Sequence, residues 1–306
     1  MAKKVIKRII STIIVLIGVS IMSFFLVRLG GGDPARLCLP DTATEEEVEA
    51  QRERMGLDQP YVVQYVTYMK GILKGDLGYS YNYKKTVAEL IAGRLPYTAK
   101  LTVVAMIFSL LISIPLGVIA GVKKGSGIDI FAIFWALLGQ SLSPVWLGLL
   151  LILVFGVMLR WLPTQGSGGI KYMIMPALCL AFQFSSLATR LMRSGMVDVL
   201  QEDYITATRA RGISRMKVNT VYAFKNALLP VITVIGAQVG SMLCGSMVIE
   251  SIFGWPGLGQ LTITAIKARD FQLVQSSLLI SAFIFVACNL VVDILYTFID
   301  KRVSFN

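Results

Sequence analysis

Residues 203–230 read DYITATRARGISRMKVNTVYAFKNALLP, a charged block set between two apolar stretches. Asp203 to Arg211 holds good helix formers, and Gly212 can stop that helix in a left-handed C-cap. Ser214 can then N-cap a second helix running to about Asn226, with Pro230 marking the start of the next apolar run. The expected product is a helix, a sharp corner and a helix. Ala207 and Ala210 lie three apart and give the first helix a small-residue face, while Arg209 and Arg211 stay available to acidic partners. A solvated basic loop that only orients the chain in a membrane accounts for the charge equally well. A capped two-helix arrangement is more structure than orientation requires, which favours docking.

Outward from this block the chain is mostly apolar. Of 306 residues, 55% are hydrophobic and 15% charged, and mean hydropathy is +0.70. Soluble domains carry about 25% charged residues, so the composition is that of an all-α polytopic membrane protein. A net charge of +11 raises the question of nucleic acid, but that reading needs a basic face on a water-soluble fold. Here Lys and Arg sit in short blocks between apolar runs, so the expected environment is a lipid bilayer and no nucleic acid is expected. Cys38, Cys179, Cys244 and Cys288 are far apart, with no C-x-x-C and no partner at metal-ligand spacing, and the last three, which fall in apolar runs, read as small hydrophobes. The chain has no His, which removes the commonest general base and transition-metal ligand. No catalytic residue, metal site or resident cofactor is expected.

Six apolar runs follow: 9–27, 101–122, 130–159, 172–189, 229–249 and 277–299. The first is of bilayer length, lacks a small-x-small cleavage site and is read as retained. Between it and the second lies a hydrophilic segment that looks folded. Thr44 to Glu47 form a T-x-x-E capping box for a helix that Gly56 can close, and 61–73 is amphipathic. The third run is interrupted by Gly139-Gln140-Ser141-Leu142-Ser143-Pro144, for which a water-lined path and a packed kink both stand. The fourth is diluted by Gln183, Ser185 and Ser186 and should face protein or a cavity. Gln140, Ser141, Ser143, Gln183 and Gln238 are the candidate path residues. Asp293 is read as the one ionisable group inside a span, paired with a basic loop residue.

Charge chooses the orientation. Short segments on the N-terminal side hold four Lys or Arg (residues 3–8), two (123–124), seven (190–225) and two (301–302), against two (160, 171) and two (267, 269) opposite. By the positive-inside rule both termini and the 203–230 block face the cytoplasm. The domain division is an N-terminal transmembrane helix (1–29), an extracytoplasmic segment with short helices (30–100), and a five-helix core (101–306) carrying the loop 190–228.

The 203–230 block resembles the EAA-type coupling loop of ABC-importer permeases, in the form found in the dipeptide, oligopeptide and nickel permease family. Asp203-Tyr204, Ala207, Ala210, Arg211-Gly212 and Asn226-Ala227-Leu228 through Pro230 match that pattern. Thr206-Ala207-Thr208 stands where the loop's name has Glu-Ala-Ala, and Lys225 replaces the usual Arg. The resemblance extends along the chain through Gly32-Asp33-Pro34-Ala35, Gly56-Leu57-Asp58-Gln59-Pro60, Gly75-Asp76-Leu77-Gly78, Arg94-Leu95-Pro96, Trp161-Leu162-Pro163, Pro256-Gly257-Leu258-Gly259 and Asp293-Ile294-Leu295-Tyr296. Asp300-Lys301-Arg302 departs from the usual Asp-Pro-Arg.

The resemblance implies a type I importer fold and a non-catalytic permease subunit in a bacterial inner membrane. Its partners would be a second homologous permease, two ATPase subunits that bind ATP and Mg, and an extracytoplasmic binding protein. No G-x-x-x-x-G-K-[ST] occurs in the chain, in keeping with nucleotide handled elsewhere. It further implies ATPase coupling through Asp203, Tyr204, Ala207, Arg209, Ala210, Arg211 and Gly212. Phe253, Trp255, Pro256 and Leu258, with the 45–56 helix, become candidates for binding-protein or gate contacts. The cargo expected is a di- or oligopeptide, with glutathione or a nickel or metal chelate as alternatives. An ion-coupled secondary transporter stays open as another class and should show an internal repeat and midplane ion sites. An intramembrane enzyme lacks its nucleophile and base.

Overall fold

The computed structural model describes residues 2–29, 34–37, 39 and 42–299, with the backbone alone for 2–9, 26–29, 34, 37, 237, 244, 245 and 293–299. Expectations resting on Cys38, the Asp293 side chain or residues 300–302 lie outside the described residues. In chain order the elements are α1 (Ala2–Leu29), α2 (Pro34–Leu37), α3 (Glu45–Arg54), α4 (Tyr61–Leu73), β1 (Tyr79–Ser80), β2 (Lys85–Thr86), α5 (Val87–Val122), α6 (Gly127–Ser141), α7 (Pro144–Leu151), a π-helical turn (Ile152–Met158), α8 (Ile170–Val199), α9 (Asp203–Ala210), α10 (Arg215–Lys217), a second π-helical turn (Val218–Ala223), α11 (Phe224–Ile252), α12 (Leu258–Lys267) and α13 (Phe271–Ile299). β1 and β2 form a short antiparallel ladder with Tyr79 opposite Thr86.

Among the described residues, α5, α8, the α10–α11 run and α13 are each long and apolar enough to cross a bilayer. The pair α6 and α7, bent by 106° where they meet, makes a fifth candidate. α1 adds a shorter described apolar stretch, Ile10–Phe25, and the six-span expectation turns on that helix.

The helices overrun the apolar runs that announced them. α5 begins at Val87 because Thr86 Oγ1 accepts from Glu89 N (3.3 Å), the same T-x-x-E spacing as Thr44 to Glu47. α8 continues ten residues past Thr189, so Arg190 and Arg193 are helical. Pro230 lies inside α11 and does not mark its start; a membrane helix tolerates Pro where neighbouring groups take up the freed carbonyl.

The chain packs as two compact units. One comprises residues 1–98 and 256–290. In it α3 is closed at both ends as its sequence demands: Glu47 N donates to Thr44 Oγ1 (3.4 Å), Thr44 N donates to Glu47 Oε2 (2.9 Å), and Leu57 N returns to Arg52 O (3.0 Å) across Gly56. Gln64 Nε2 donates to Leu57 O and Gln59 O (3.1 and 2.8 Å) and pins the Gly-Leu-Asp-Gln-Pro turn under α4. α4 meets α1 through Ser20 Oγ and Tyr65 OH (2.7 Å) and an edge-on pair of Phe24 and Tyr65 rings. Val87, Ile91, Leu258, Leu261 and Leu273 form this unit's apolar core.

The other unit comprises residues 99–255 and 291–306. α8 is its centre, packed by α6, α7 and α11. Of its apolar window 61% is buried within the chain, against 28–29% for α5, the α10–α11 run and α13. That answers the expectation drawn from its polar dilution. Ser185 Oγ accepts from Trp135 Nε1 (3.2 Å) and Ser186 Oγ donates to Phe182 O (2.8 Å), both buried. Small residues let the helices close: a Cβ on Gly121 would stand 2.5 Å from Met196 Cβ, and one on Gly195 would stand 3.1 Å from Ala227 O.

Candidate functional site

The corner expected from residues 203–217 is present, and its construction is specific. α9 runs Asp203–Ala210, Gly212 takes φ +78° just beyond it, and Lys217 N donates to Ser214 Oγ (3.5 Å) at the head of α10. The second helix does not stop near Asn226. It passes through the π-helical turn into α11, so the corner is rigidly continuous with a membrane helix.

Ile205 is the anchor. It is fully buried among Met192, Met196, Val218, Ala223 and Ala227, at the junction of α8 and α11. Tyr204 reinforces this, since its hydroxyl accepts from Asn226 Nδ2 (2.6 Å) and contacts Tyr222 O (3.5 Å). The Asp-Tyr and Asn-Ala pairs of the sequence pattern, 22 residues apart, are thus two halves of one contact. Everything else at the corner faces outward: Asp203, Ala207, Arg209, Ala210, Arg211 and Gly212 are exposed. Thr208 Oγ1 turns back to donate to Tyr204 O (2.6 Å). Its hydroxyl therefore satisfies the helix's own backbone.

The other expected residues are placed differently. Phe253 and Trp255 are 2% and 4% exposed, in an apolar cluster with Leu101, Met175, Cys179 and Ile249. Leu258 is buried with Leu261 and Leu273, and Pro256 is half-buried. The backbone corner is held by Trp255 N to Glu250 O (2.8 Å), Gly166 N to Phe253 O (3.0 Å) and Gln165 Nε2 to Ile252 O (3.2 Å). In this conformation the three buried side chains belong to the chain's own packing and offer a partner no surface. Of the path candidates, Gln140, Ser141, Ser143 and Gln183 are exposed and Gln238 is buried. Gly139 packs so closely on Ser186 and Phe182 O that Gln140 and Gln183 border one α6–α8 contact.

Two groups escaped the sequence reading. Asp129, in the first turn of α6, forms a two-pronged ion pair with Arg193 of α8: Arg193 Nε bonds Oδ1, and Nη2 lies 2.9 Å from Oδ2. Gly125 N also donates to Oδ2 (2.9 Å). The pair ties the α5–α6 turn to the helix that leads into the corner. Only the helix start had a signal, the Ser126-x-x-Asp129 spacing in an otherwise basic turn, with Asp129 N donating to Ser126 Oγ (3.4 Å). Glu250 lies inside α11, fully buried, accepting from Ser246 Oγ (3.0 Å). α11 extends past 249 and takes Glu250 with it as a buried acid, while the apolar span candidate of that run ends at Leu243.

The sequence matches the family model described as binding-protein-dependent transport system inner membrane component over residues 113–305, and the model for the N-terminal part of such membrane components over 1–102. It is 38% identical to the oligopeptide transport system permease protein AppB of Bacillus subtilis and 37% to the glutathione transport system permease protein GsiC of Escherichia coli O6:H1, each over 100% of both chains. It is 37% identical to the dipeptide transport system permease protein DppB of Alkalihalophilus pseudofirmus, over 98% of both. Among solved structures, an inward-facing MetNI methionine ABC transporter chain superposes with a TM-score of 0.58 at 16% identity, covering 69% of this chain and 96% of that one. A chain of an amino acid ABC transporter gives 0.53 at 18%, covering 70% and 94%. At such identities the likeness is one of fold. The chain belongs to the family of binding-protein-dependent transport system inner membrane components, as a multi-pass, non-catalytic permease subunit of an ABC importer.

Proposed function

We propose that this chain forms half of the membrane pathway of an ATP-driven importer of short peptides, and that the Asp203–Gly212 corner is where an ATPase subunit docks. The observation that carries the proposal is the division of labour within α9. Ile205 and Tyr204 fasten it to α8 and α11, while Ala207, Ala210, Arg209 and Arg211 are left facing out. A short helix tied at its root to two membrane helices transmits a push with little bending. Closure of an ATPase pair can then bias the two packings of the membrane helices only through contacts that differ between them. In this reading six helices cross the membrane, both termini are cytoplasmic, and residues 30–100 are extracytoplasmic. A second homologous permease, two ATPase subunits carrying ATP and Mg, and a binding protein complete the assembly. Gln140, Ser141, Ser143 and Gln183 line the path.

Peptide is favoured as cargo because full-length relatives at 37–38% identity carry oligopeptide, dipeptide and glutathione in their names, all peptide-like molecules. One feature, the broken helix pair at residues 141–144, is of the kind that ion-coupled transporters use. The end-to-end match to ABC-importer permeases favours the ATP-driven class over that one. The test is reconstitution in liposomes. ATP-dependent uptake of labelled di- and oligopeptides that requires the binding protein is the expected result. Uptake by the isolated chain driven by an ion gradient overturns the proposal.

A further inference from the structure

In the unit formed by residues 1–98 and 256–290, a cavity of about 510 Å³ opens between the end of α1, the α3–α4 turn, the Gly75–Gly78 loop and the start of α13. Its volume falls within the roughly 300–1,000 Å³ usual for small-ligand sites. The wall is built tightly. Asp76 Oδ1 accepts from Gly78 N (2.9 Å), Ser276 Oγ donates to Leu77 O (2.8 Å), and Gly78, at φ +91°, stands so close to Gln272 that a Cβ would overlap its amide.

The lining is graded. Phe24, Gln64 and Gln275 are buried, while Glu53, Arg54 and Asp76 are exposed. Gln64 spends its Nε2 on Leu57 O and Gln59 O. Gln275 does not: its side chain is 94% buried, with 6% exposed, and its Nε2 has no hydrogen-bond partner among the described residues. A buried amide donor left unpaired is costly and is met in native proteins where a ligand or water completes it.

We infer that this cavity is a subsite for a short zwitterionic peptide. Gln275 Nε2 donates to a peptide carbonyl, Arg54 faces the terminal carboxylate, and Glu53 and Asp76 hold the terminal ammonium. Mixed charge at the mouth with an amide donor and an aromatic ring inside fits a peptide better than a simple anion, which the two carboxylates would repel. The inference rests on the peptide-importer reading and names a place where its cargo touches this chain outside the membrane path.

The test uses the assembled importer in lipid nanodiscs without its binding protein, and labelled alanyl-phenylalanine as the probe. Saturable binding is expected, weakened about tenfold by Gln275→Met, which keeps the side chain's shape and loses the donor. Arg54→Gln, at an exposed position, should weaken binding of the free peptide and leave its C-terminal amide unaffected. Absence of saturable binding, or binding that Arg54→Gln leaves unchanged for both forms, overturns the subsite. ATP-driven uptake of the same peptide, with binding protein present, is scored separately. Uptake without cavity binding sinks the subsite alone, whereas absence of peptide uptake sinks the peptide-importer reading.

Discussion

Two glycine corners in the same unit use the same backbone device and put it to opposite ends. Gly212 follows α9 at φ +78°, and Gly254 follows α11 at φ +59°. Around Gly212 nothing lies within 4 Å of where a Cβ would stand, and five of the neighbouring residues 207–212 are exposed. Around Gly254 the Gln165 side chain and Gly166 backbone approach to 3.5 Å, and the flanking Phe253 and Trp255 are buried. A left-handed glycine therefore marks a turn without saying which way the turn faces. What decides is where the neighbouring apolar residues go: at the first corner Ile205 is buried as an anchor with Ile213 half-buried beside it, and at the second both flanking aromatics are buried.

The comparison breaks most visibly through function. Ala207→Glu puts bulk and charge on the outward face of α9 without touching Ile205 or Tyr204. It should abolish most ATP-driven uptake in liposomes while the variant still inserts and the ATPase subunits still hydrolyse ATP. Normal transport would show that the exposed face is not a docking face. The corresponding change at the enclosed corner is Trp255→Ala, which removes a buried ring from the cluster with Leu101 and Met175. It should cost about 3–5 kcal/mol of stability, seen as a lowered unfolding midpoint of the solubilised complex. A smaller effect sharpens the contrast: Gly212→Ala and Gly254→Ala each force an L-residue to positive φ, and each should cost about 1–2 kcal/mol. Equal costs would confirm that the corners differ in surroundings and not in backbone.

Much of this was legible in the sequence where signals are local. The Thr44 to Glu47 box, Gly56, Gly212 and Ser214 all act at the positions their chemistry predicts, because caps are satisfied by residues three or four apart. The burial of α8 was legible from Ser185 and Ser186, since polar groups in a membrane helix must find partners, although Gln183 beside them is exposed. Thr86 and Ser126 carried the same local signal and went unread, which put the starts of α5 and α6 too late. Helix ends past an apolar run were missed for a related reason: hydropathy marks where a helix meets lipid, whereas hydrogen bonding marks where it stops, as Glu250 in α11 demonstrates. Contacts between distant positions had no signal of their own. Tyr204 with Asn226, Asp129 with Arg193, and the inward turn of Phe253 and Trp255 depend on how helices cross, which spacing along the chain does not encode.

If the proposed docking is right, the outward face of α9 meets an ATPase subunit. A thiol crosslinker placed on Ala207→Cys in the assembled importer tests it directly. The expected result is a covalent adduct between this chain and an ATPase subunit, with a yield that changes between ATP-bound and nucleotide-free states. An adduct to no ATPase subunit in either state, from a complex that still transports, would contradict it.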